Sequence, residues 1–436
     1  MQIVIVGGGA GGLELATTLG KQLGRKNKAE IILIDRNHTH IWKPLLHEVA
    51  SGSLDADLDA VNYRVHGHKN GFEFELGSLC GVDRDRKAVV LEAWHDDEGR
   101  EILPKRDRPY DYLILAIGSV SNDFGVSGVA DHCIFLDSPA QAHHFHRRLV
   151  ERFIGLDRDI KAGHTQRKLR VAIIGGGATG VELSAELYKA REWFSTYGLK
   201  EITPKHLQVT LLEAGPRLLP ALNERISSGV YAELQKLGVA VRVNTAVVSA
   251  TDRGLSTGDG DEISADLMVW AAGVKAPDFL ASIEGLEVNR ANQVVVEPSL
   301  QARGDNSVFA LGDCAGCAMT GPEGEVRWVP PRAQSAHQMA AAVARNIRLQ
   351  LQNKPLEPFQ YKDLGSLVSL SEYNAFGRMM GGLTRSGISL EGKAARLAYV
   401  SLYRMHQVAI YGWPRTALLA LAGKINHFIR PRFKLH

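Results

Sequence analysis

Apolar and polar positions follow the same order in two stretches of the chain. Each stretch opens with a short apolar run, residues 3–6 in the first and 171–174 in the second, which leads into glycines and then into a segment with helical spacing. A second apolar run follows, at residues 31–34 and 209–212. Short apolar runs that alternate with helices are typical of parallel strands buried on both faces. The pattern predicts an α/β fold built from a duplicated, doubly wound unit.

Each predicted unit closes with a third buried strand that ends at a glycine. The first runs over residues 112–117 and reaches Gly118, and the second runs over residues 267–272 and reaches Gly273. The two predicted units therefore close in the same way, at a small-x-Gly turn.

The glycines between the first strand and the helix have the spacing G-x-G-x-x-G in both units. In a dinucleotide-binding loop the first glycine makes the tight turn, the second lets the pyrophosphate approach the backbone, and the third allows close helix packing. These positions are occupied by Gly7, Gly9 and Gly12 in the first unit and by Gly175, Gly177 and Gly180 in the second. One such loop is weak evidence, but two in matched contexts predict that the chain binds two dinucleotides.

An acid follows the second strand of each unit, Asp35 in the first and Glu213 in the second. A carboxylate here accepts hydrogen bonds from a ribose diol and repels a 2′-phosphate. Both units are therefore predicted to accept nucleotides without that phosphate.

The length and the composition are consistent with this organisation. A chain of 436 residues suggests about three domains. The net charge of +3 and the absence of interleaved aromatic and basic residues argue against a nucleic-acid partner. The chain enters a core strand at its first residues, so we expect no leader peptide and a cytosolic protein.

Four cysteines in so long a chain do not indicate a disulfide framework. Cys314 and Cys317 form a C-x-x-C pair, which is compatible with a redox dithiol, half of a zinc site or two ordinary thiols. Because Cys80 and Cys133 are isolated, the sequence predicts no metal site.

We predict that one nucleotide unit interrupts the other. Residues 1–120 form the first part of one domain, 121–295 form the inserted domain, 296–385 return to the first domain, and 386–436 form a C-terminal segment. The return is marked by an apolar strand that ends in Gly312-Asp313, at residues 307–313. Beyond Pro330-Pro331, which favours the start of a helix, Gln334 and Gln338 are four residues apart and share one helix face.

The two glycine loops, the Gly-Asp turn and the stretch Ala333-Gln334-x-Ala336-x-Gln338 together resemble the signature of the type II NADH:quinone oxidoreductases. Residues 42–49 (WKPLLHEV) and 404–407 (RMHQ) are similar to the enteric-bacterial type within that family. The resemblance covers essentially the whole chain, and the glutamine stretch is its specific part.

The resemblance implies FAD at the first loop and NADH at the second. FAD contacts would be made by Gly7, Gly9, Gly12, Asp35, Lys43, Ala116, Gly118, Gly312, Asp313 and Ala333, and NADH contacts by Gly175, Gly177, Gly180, Glu213 and Gly273. It further implies an acid near the nicotinamide at Glu182, glutamines at the quinone headgroup at Gln334 and Gln338, and a basic residue near that site at Lys393. From the residues alone, the alternative for Glu182 is a first-turn helix acid favoured by the helix dipole, and the alternative for the glutamines is a solvated or capped helix face.

The function that the resemblance implies is non-proton-pumping respiratory NADH dehydrogenation. Hydride passes from NADH to FAD, and two electrons then pass to a membrane quinone, ubiquinone or menaquinone. Two alternatives stay open: a soluble disulfide or ferredoxin-type reductase, and a nucleotide-sensing flavoprotein without turnover. Disulfide reductases of this layout carry their redox cysteines after the opening helix of the first unit or inside the second unit. Residues 41–50 contain no cysteine here, and Cys314 and Cys317 follow the Gly-Asp turn instead.

The C-terminal segment contains eight basic residues and no acid from residue 392 onward. On a helix over residues 415–430, one face carries Leu418, Leu421, Ile425, Phe428 and Ile429, and the other carries Lys424, His427 and Arg430. Such a helix would be about 24 Å long, short of the ~30 Å hydrocarbon core. We therefore expect a helix that lies on an anionic lipid surface, at the cytoplasmic face of the bacterial inner membrane. A docking helix in a homodimer is the alternative.

Overall fold

The computed structural model describes most of the chain, and it divides into two compact units. Unit 1 comprises Met1–Trp42, Ala60–Val120 and Val274–Lys362, and unit 2 comprises Lys43–Asp59, Ser121–Gly273 and Asp363–His436. The described residues are 1–56, 60–96, 98–194, 198–199, 201–320, 324–371, 373–379 and 388–429.

The helices and strands are numbered here in chain order. The helices are α1 (Ala10–Gln22), α2 (Leu46–Ser51), α3 (Tyr63–Asn70), α4 (Val129–His132), α5 (Pro139–Lys161), α6 (Ala178–Phe194), α7 (Glu224–Leu237), α8 (Ala333–Gln350), α9 (Lys393–Tyr411) and α10 (Trp413–Ile429). The strands are β1 (Gln2–Val6), β2 (Glu30–Asp35), β3 (Thr39–His40), β4 (Val61–Asn62), β5 (Glu73–Leu76), β6 (Leu79–Asp83), β7 (Ala88–Leu91), β8 (Trp94–His95), β9 (Glu101–Leu103), β10 (Arg106–Pro109), β11 (Tyr112–Leu115), β12 (Val120–Ser121), β13 (Ile134–Phe135), β14 (Leu169–Ile174), β15 (Leu207–Leu212), β16 (Ala240–Arg242), β17 (Val247–Thr251), β18 (Gly254–Thr257), β19 (Glu262–Ser264), β20 (Leu267–Trp270), β21 (Val274–Lys275), β22 (Val294–Val296), β23 (Val308–Ala310), β24 (Ala315–Thr320), β25 (Val326–Trp328), β26 (Gly365–Leu370), β27 (Asn374–Met379) and β28 (Ile388–Glu391).

Unit 1 is built on a five-stranded parallel sheet in the order β23-β11-β1-β2-β5. The predicted apolar runs supply its central strands, in a register that pairs Val4 with Ile32 and with Leu113. These side chains are fully buried, as expected for a sheet covered on both faces. Helix α1 packs against α8, the helix that carries the two glutamines.

Unit 2 repeats this arrangement with a five-stranded parallel sheet in the order β13-β20-β14-β15-β16. The strand that leads into the glycine loop is central in both sheets, flanked by the strand that carries the acid and by the closing strand. The predicted α/β duplication is therefore confirmed.

The units divide the chain at somewhat different residues from those that the sequence suggested. Unit 1 resumes at Val274, before the predicted return at residue 296, and it ends at Lys362, before the predicted boundary at 385. The antiparallel sheet β26-β27-β28 belongs to unit 2 because it packs against α6, α7 and α9. Residues 43–59 also belong to unit 2, because α2 packs against α5 and α6.

The C-terminal segment contributes two helices, α9 and α10, joined at Gly412 with a positive φ of 80°. The predicted amphipathic helix begins at Trp413, two residues earlier than expected. Among the described residues, no helix has both the length and the hydropathy to cross a membrane. Arg430, Arg432 and Lys434 lie outside the described residues, as do the side chains of Lys424, His427, Phe428 and Ile429.

Candidate functional site

The first glycine loop has the packing that a dinucleotide site requires. Gly7 has a φ of +104°, and a Cβ there would lie 2.3 Å from the Ala116 carbonyl oxygen. A Cβ on Gly12 would lie 1.9 Å from the Gly7 carbonyl oxygen. A Cβ on Gly9, by contrast, would meet nothing within 4 Å. The first and third glycines are needed for packing, whereas the second borders open space that a ligand can approach.

The second loop repeats this geometry position by position. Gly175 has a φ of +111°, and a Cβ there would lie 2.7 Å from the backbone of Ala271. A Cβ on Gly180 would lie 2.0 Å from the Gly175 carbonyl oxygen, and one on Gly177 would meet nothing within 4 Å. Helices α1 and α6 follow the loops without an acid in their first turns, which leaves each positive dipole end available to phosphates. Both loops therefore fit a dinucleotide.

The two acids hold their loops through equivalent hydrogen bonds. The backbone N–H of Gly8 donates to Asp35 Oδ2 at 2.6 Å, and that of Gly176 donates to Glu213 Oε2 at 2.7 Å. Burial raises the pKa of Asp35, although hydrogen bonds from Asn37 and Gly8 act against this shift. The second Glu213 oxygen accepts from the Gly215 N–H at 2.7 Å. A carboxylate oxygen has two lone pairs, so each acid can hold its loop and also accept from a ribose hydroxyl.

Two residues that the sequence did not single out support the first loop. The Tyr63 hydroxyl donates to the Gly8 carbonyl at 2.8 Å, and His40 Nδ1 lies 2.9 Å from the same oxygen. A Cβ on Gly8 would lie 2.4 Å from the Tyr63 ring. Both residues lie far from the loop in sequence, so no local pattern indicates their role.

The remaining predicted flavin contacts of unit 1 lie near the carboxyl edge of its sheet. Ser119 Oγ donates to Asp313 Oδ2 at 2.8 Å, and Gln293 Nε2 donates to the Asp313 carbonyl at 2.9 Å. Gly118 and Gly312 both have a φ of +72°. Ala116 packs against Gly7, and Ala333 is the first residue of α8. Ser119 and Gln293 fix Asp313 and were not predicted.

Glu182 lies in the second turn of α6 and is only 5% exposed. The Ser369 N–H donates to its Oε1 at 3.0 Å, and His47 Nδ1 lies 3.5 Å from its Oε2. Burial raises the pKa of Glu182 well above its usual value, and the nearby carboxylates of Glu48 and Glu186 raise it further. Burial also lowers the pKa of His47 to about 4, so this imidazole is neutral at pH 7. Glu182 is therefore a buried acid of unit 2 and not an exposed acid of the first helical turn.

Lys43 forms an ion pair within unit 2. It is the first residue of a 3-10 turn, Lys43–Leu45, and its Nζ lies 3.7 Å from Asp137 Oδ1. Asp137 is fixed by Ser121, whose N–H and hydroxyl both donate to the carboxylate. Asp137 was not predicted as a partner of Lys43.

The two glutamines of α8 differ in their surroundings. The Gln338 amide is engaged with the backbone of Lys362: its Nε2 donates to the Lys362 carbonyl at 2.8 Å, and its Oε1 accepts from the Lys362 N–H at 2.9 Å. Gln334 is half-buried in the first turn of the helix. Between them, His337 bonds through Nδ1 to Glu14, a buried residue of α1, and this bond raises the His337 pKa.

Comparison with known proteins shows which family has this arrangement. The family model of pyridine nucleotide-disulphide oxidoreductases matches residues 1–340. A type II NADH:quinone oxidoreductase of Haemophilus influenzae is 50% identical over 446 aligned positions, which cover 100% of this chain and 99% of the relative. This chain belongs to the type II NADH:quinone oxidoreductase family.

Two further comparisons show similarity at lower sequence identity. A type II NADH:quinone oxidoreductase of Staphylococcus aureus is 29% identical and covers 87% of this chain and 90% of its own. The structure of NDH2 from Plasmodium falciparum in complex with NADH has a TM-score of 0.79, at 19% identity and 99% coverage of both chains. The latter likeness shows the shared fold.

In this type II family member, the remaining predicted site residues have less distinctive surroundings. Lys393 is the first residue of α9 and is exposed. Gly273 has a φ of +65°, and a Cβ there would lie 2.4 Å from the Phe124 ring. No cluster that could bind a metal ion occurs in the part of the chain that the structure describes.

Cys314 and Cys317 are buried free thiols. Cys314 Sγ lies 3.4 Å from the Leu115 carbonyl and 3.3 Å from that of Leu311. Burial raises the pKa of each thiol to about 11. Since the thiolate is the reactive form, this environment is unfavourable for the catalytic dithiol that a disulfide reductase would need.

Proposed function

We infer that this protein is an FAD-dependent NADH:quinone oxidoreductase. The observation that carries the inference is the pair of geometrically equivalent dinucleotide loops, on a chain that is half identical along its whole length to a type II NADH:quinone oxidoreductase. The chain binds FAD and NAD(H), and a quinone is its second substrate. The overall reaction converts NADH, a proton and quinone into NAD⁺ and quinol.

The two glycine loops are the basis for assigning the two nucleotides to the two units. We assign FAD to the loop of unit 1, with Asp35 and Asp313 as its polar contacts, and NADH to the loop of unit 2, with Glu213 at the ribose. When bound, FAD accepts hydride from NADH and passes two electrons to quinone. The protein contributes backbone N–H groups, helix N-termini and fixed carboxylates, which position both nucleotides.

The overall reaction is tested by its two halves. Anaerobic addition of NADH to the purified protein is expected to bleach the flavin absorbance, and subsequent addition of a short-chain quinone is expected to restore it. A flavin that NADH bleaches but quinone leaves bleached would contradict the proposed acceptor. Efficient reoxidation by a disulfide instead would favour the reductase alternative.

The Glu213 carboxylate is expected to make NADH strongly preferred over NADPH. A 2′-phosphate placed against it brings like charges together, which costs several kcal/mol and corresponds to at least about a hundredfold in kcat/KM. The nearby Arg217 guanidinium donates to the carbonyls of Leu222 and Pro220 at 2.8 Å, so these two donors are directed at the backbone. The ratio of kcat/KM for the two nucleotides measures the preference.

Glu213→Gln is expected to narrow the preference for NADH over NADPH and also to weaken the binding of NADH. The amide group cannot accept both of the backbone N–H hydrogen bonds that the carboxylate accepts, from Gly176 and Gly215. Glu224→Gln, an acid at the start of α7, serves as the matched control and should leave the ratio unchanged. Comparable efficiency of wild-type protein with NADPH would refute the role of Glu213.

At the quinone site, we propose that Gln334 contacts the headgroup and that Gln338 chiefly holds Lys362. Gln334→Ala is expected to slow flavin reoxidation by quinone about two- to tenfold, the value of one neutral hydrogen bond, with bleaching by NADH unchanged. Stopped-flow measurement of the two half-reactions separates these effects. Gln338→Ala is expected to lower the melting temperature of the protein. If Gln334→Ala slows both half-reactions equally, Gln334 has a structural role and does not contact the quinone.

Quinone reduction consumes one proton from the medium, because hydride already carries the other. We propose that Glu182 is a proton-carrying residue of the reaction: the O–H bond of its carboxyl breaks, water takes up the proton, and the carboxylate is reprotonated from the medium. A glutamine can orient a quinone carbonyl but cannot release a titrating proton. The burial of Glu182 raises its pKa, which favours the protonated form that a proton donor needs.

We also propose that α9 and α10 attach the enzyme to an anionic lipid surface at the cytoplasmic face of the inner membrane. Large apolar side chains of these helices are exposed: Leu397 (73%), Trp413 (75%), Leu418 (66%), Leu421 (57%) and Ile425 (50%). The segment also carries the basic residues noted above, and it contains no acid. An apolar face with flanking cations is typical of helices that lie at a membrane interface. Homodimerisation through the same face is the competing proposal.

A further inference from the structure

Two buried side chains of unit 1 hold the carbonyl group of Gly8 in the first glycine loop. Tyr63 is 2% exposed and His40 is 5% exposed. The Tyr63 hydroxyl donates to the Gly8 carbonyl oxygen at 2.8 Å, and His40 Nδ1 lies 2.9 Å from the same oxygen. Because a carbonyl oxygen can only accept, Nδ1 is the nitrogen of His40 that carries the hydrogen. The Gly8 carbonyl therefore has two side-chain donors, both from residues distant in sequence.

The orientation of this carbonyl determines where the next N–H group points. The Gly8 carbonyl and the Gly9 N–H belong to one planar trans peptide unit, in which the two groups point in opposite directions. The Gly9 N–H therefore points away from Tyr63 and His40. Gly9 is exposed, a Cβ there would meet nothing within 4 Å, and its N–H donates to no group in the described part of the chain. This N–H is available to an oxygen atom of a bound ligand.

The peptide between Gly8 and Gly9 needs such support because it can rotate. A half turn of this peptide would carry the φ of Gly9 from −62° into the positive region, which glycine adopts readily. The carbonyl oxygen would then point where the N–H points now. A carbonyl oxygen repels a phosphate oxygen, whereas an N–H group binds it. The two donors thus select the orientation of the loop that favours an anionic ligand.

The second loop achieves the same orientation by other means. The Gly176 carbonyl, which is equivalent to that of Gly8, accepts from the backbone N–H of Leu219 at 2.8 Å. The loop of unit 2 therefore depends at this point on a backbone group that no side-chain substitution removes. Substitution of Tyr63 or His40 is expected to affect one loop and to leave the other as an internal control.

We propose that Tyr63 and His40 are positioning residues for FAD: by holding the Gly8 carbonyl, they direct the Gly9 N–H at the FAD pyrophosphate. The inference rests on the proposed assignment of FAD to the loop of unit 1. Neither residue gains or loses a proton in this role. Burial, and after it the Asp35 charge, raise the pKa of Tyr63 well above its usual value, so the phenol keeps the hydrogen that it donates.

Tyr63→Phe is expected to raise the dissociation constant of FAD about two- to tenfold, the value of one neutral hydrogen bond. The variant removes one oxygen and keeps the ring, which stacks on Phe74 with the ring centroids 5.1 Å apart. Tyr110→Phe is the matched control, because Tyr110 is also buried in unit 1 and its hydroxyl makes no hydrogen bond. This control is expected to leave the dissociation constant unchanged.

His40→Leu is expected to have an effect of similar size, and His40→Asn is expected to restore most of the affinity. The asparagine amide places an N–H donor close to the position of Nδ1, whereas leucine has no donor. The double variant Tyr63→Phe, His40→Leu is expected to weaken FAD by more than the product of the two single effects. Either donor alone can still hold the carbonyl, so the peptide is free to turn only when both are absent.

Three measurements on the FAD-loaded protein test the proposal. Serial dilution, with released FAD measured by its fluorescence, gives the dissociation constant. Phosphorus NMR of the bound FAD reports the pyrophosphate directly, and its resonances are expected to shift in the double variant and to stay at the wild-type position in Tyr110→Phe. Calorimetric titration with NAD⁺ in excess FAD reports the second loop and is expected to give the wild-type dissociation constant. Melting temperature in excess FAD verifies the fold.

The outcomes separate this inference from the assignment on which it rests. If the double variant keeps the wild-type affinity for FAD and the wild-type phosphorus resonances, the roles of Tyr63 and His40 are refuted. Weaker FAD binding with unmoved resonances and no rescue by His40→Asn would also overturn the proposal, because the two residues would then act only on stability. If the double variant weakens NAD⁺ and leaves FAD unchanged, the assignment of FAD to the loop of unit 1 fails. Should the double variant not fold, Tyr63→Phe and the comparison of His40→Leu with His40→Asn decide by the same criteria.

Discussion

Gly180→Val is expected to yield a protein that retains FAD but is no longer bleached by NADH. The Cβ alone would lie 2.0 Å from the Gly175 carbonyl oxygen, so the second loop must move away from the N-terminus of α6. Overpacking of this kind costs about 1–3 kcal/mol, and a displacement of about 1 Å at a positioning site lowers rates about a hundredfold. We therefore expect at least that loss in the rate of anaerobic bleaching at a fixed NADH concentration.

Gly12→Val is the reciprocal variant, and it is expected to be purified largely without FAD. A Cβ there would lie 1.9 Å from the Gly7 carbonyl oxygen in the first loop. Gly155→Val serves as the control for both variants, because a Cβ at this position in α5 would meet nothing within 4 Å. The ratio of flavin to protein absorbance gives the FAD content. Loss of FAD from Gly180→Val together with retention in Gly12→Val would reverse the assignment of the two loops.

The two loops could be predicted from sequence because local rules determine them. A glycine with positive φ at the turn, a glycine that faces the ligand and an acid after the next strand all occupy fixed spacings. The closing strands were also visible as apolar runs. The structure places Asp35, Gly118 and Asp313 near one edge of the unit 1 sheet, as strand polarity requires.

The supporting contacts could not be predicted, because they join residues that are distant in sequence. Tyr63 and Gly8 are 55 residues apart, and Ser369 and Glu182 are 187 residues apart. No spacing rule connects such pairs. For the same reason, helical periodicity placed Gln334 and Gln338 on one face but gave no sign that the Gln338 amide bonds to Lys362.

The domain boundaries also depend on packing more than on local pattern. Composition gave no reason to assign residues 43–59 to unit 2, yet α2 supplies His47 and Glu48 to the surroundings of Glu182. Segments that look like connections in the sequence therefore supply residues to the surroundings of Glu182.

In the C-terminal helix, Leu419 is not one of the residues of the predicted apolar face, yet it is 43% exposed beside Leu418. The exposed apolar surface is wider than the predicted stripe.

Replacing Leu421 and Ile425 together with Asp is expected to move the protein from the membrane pellet to the soluble fraction. Both side chains are at least half exposed on α10, and burying each in lipid would contribute about 1.5–3 kcal/mol. Loss of both contributions is expected to weaken partitioning of the protein into the membrane at least about a hundredfold. The two added negative charges weaken it further. NADH should still bleach the flavin of the double variant, because neither residue belongs to the nucleotide loops. Fractionation of cell membranes and sedimentation with anionic vesicles measure the shift.

Ile102→Asp with Val326→Asp provides the matched control, since both residues are exposed apolar residues of unit 1, at 51% and 69%. This control should remain in the pellet, which separates loss of the proposed face from a general effect of added negative charge. High salt should release the wild-type protein only partly, because it screens the basic residues and leaves apolar burial intact. Light scattering in detergent decides between the two proposals for this face. The outcome that favours a homodimer interface is a wild-type protein with the mass of a dimer and a Leu421→Asp, Ile425→Asp double variant with the mass of a monomer that still sediments with vesicles. In that case the membrane contact lies elsewhere.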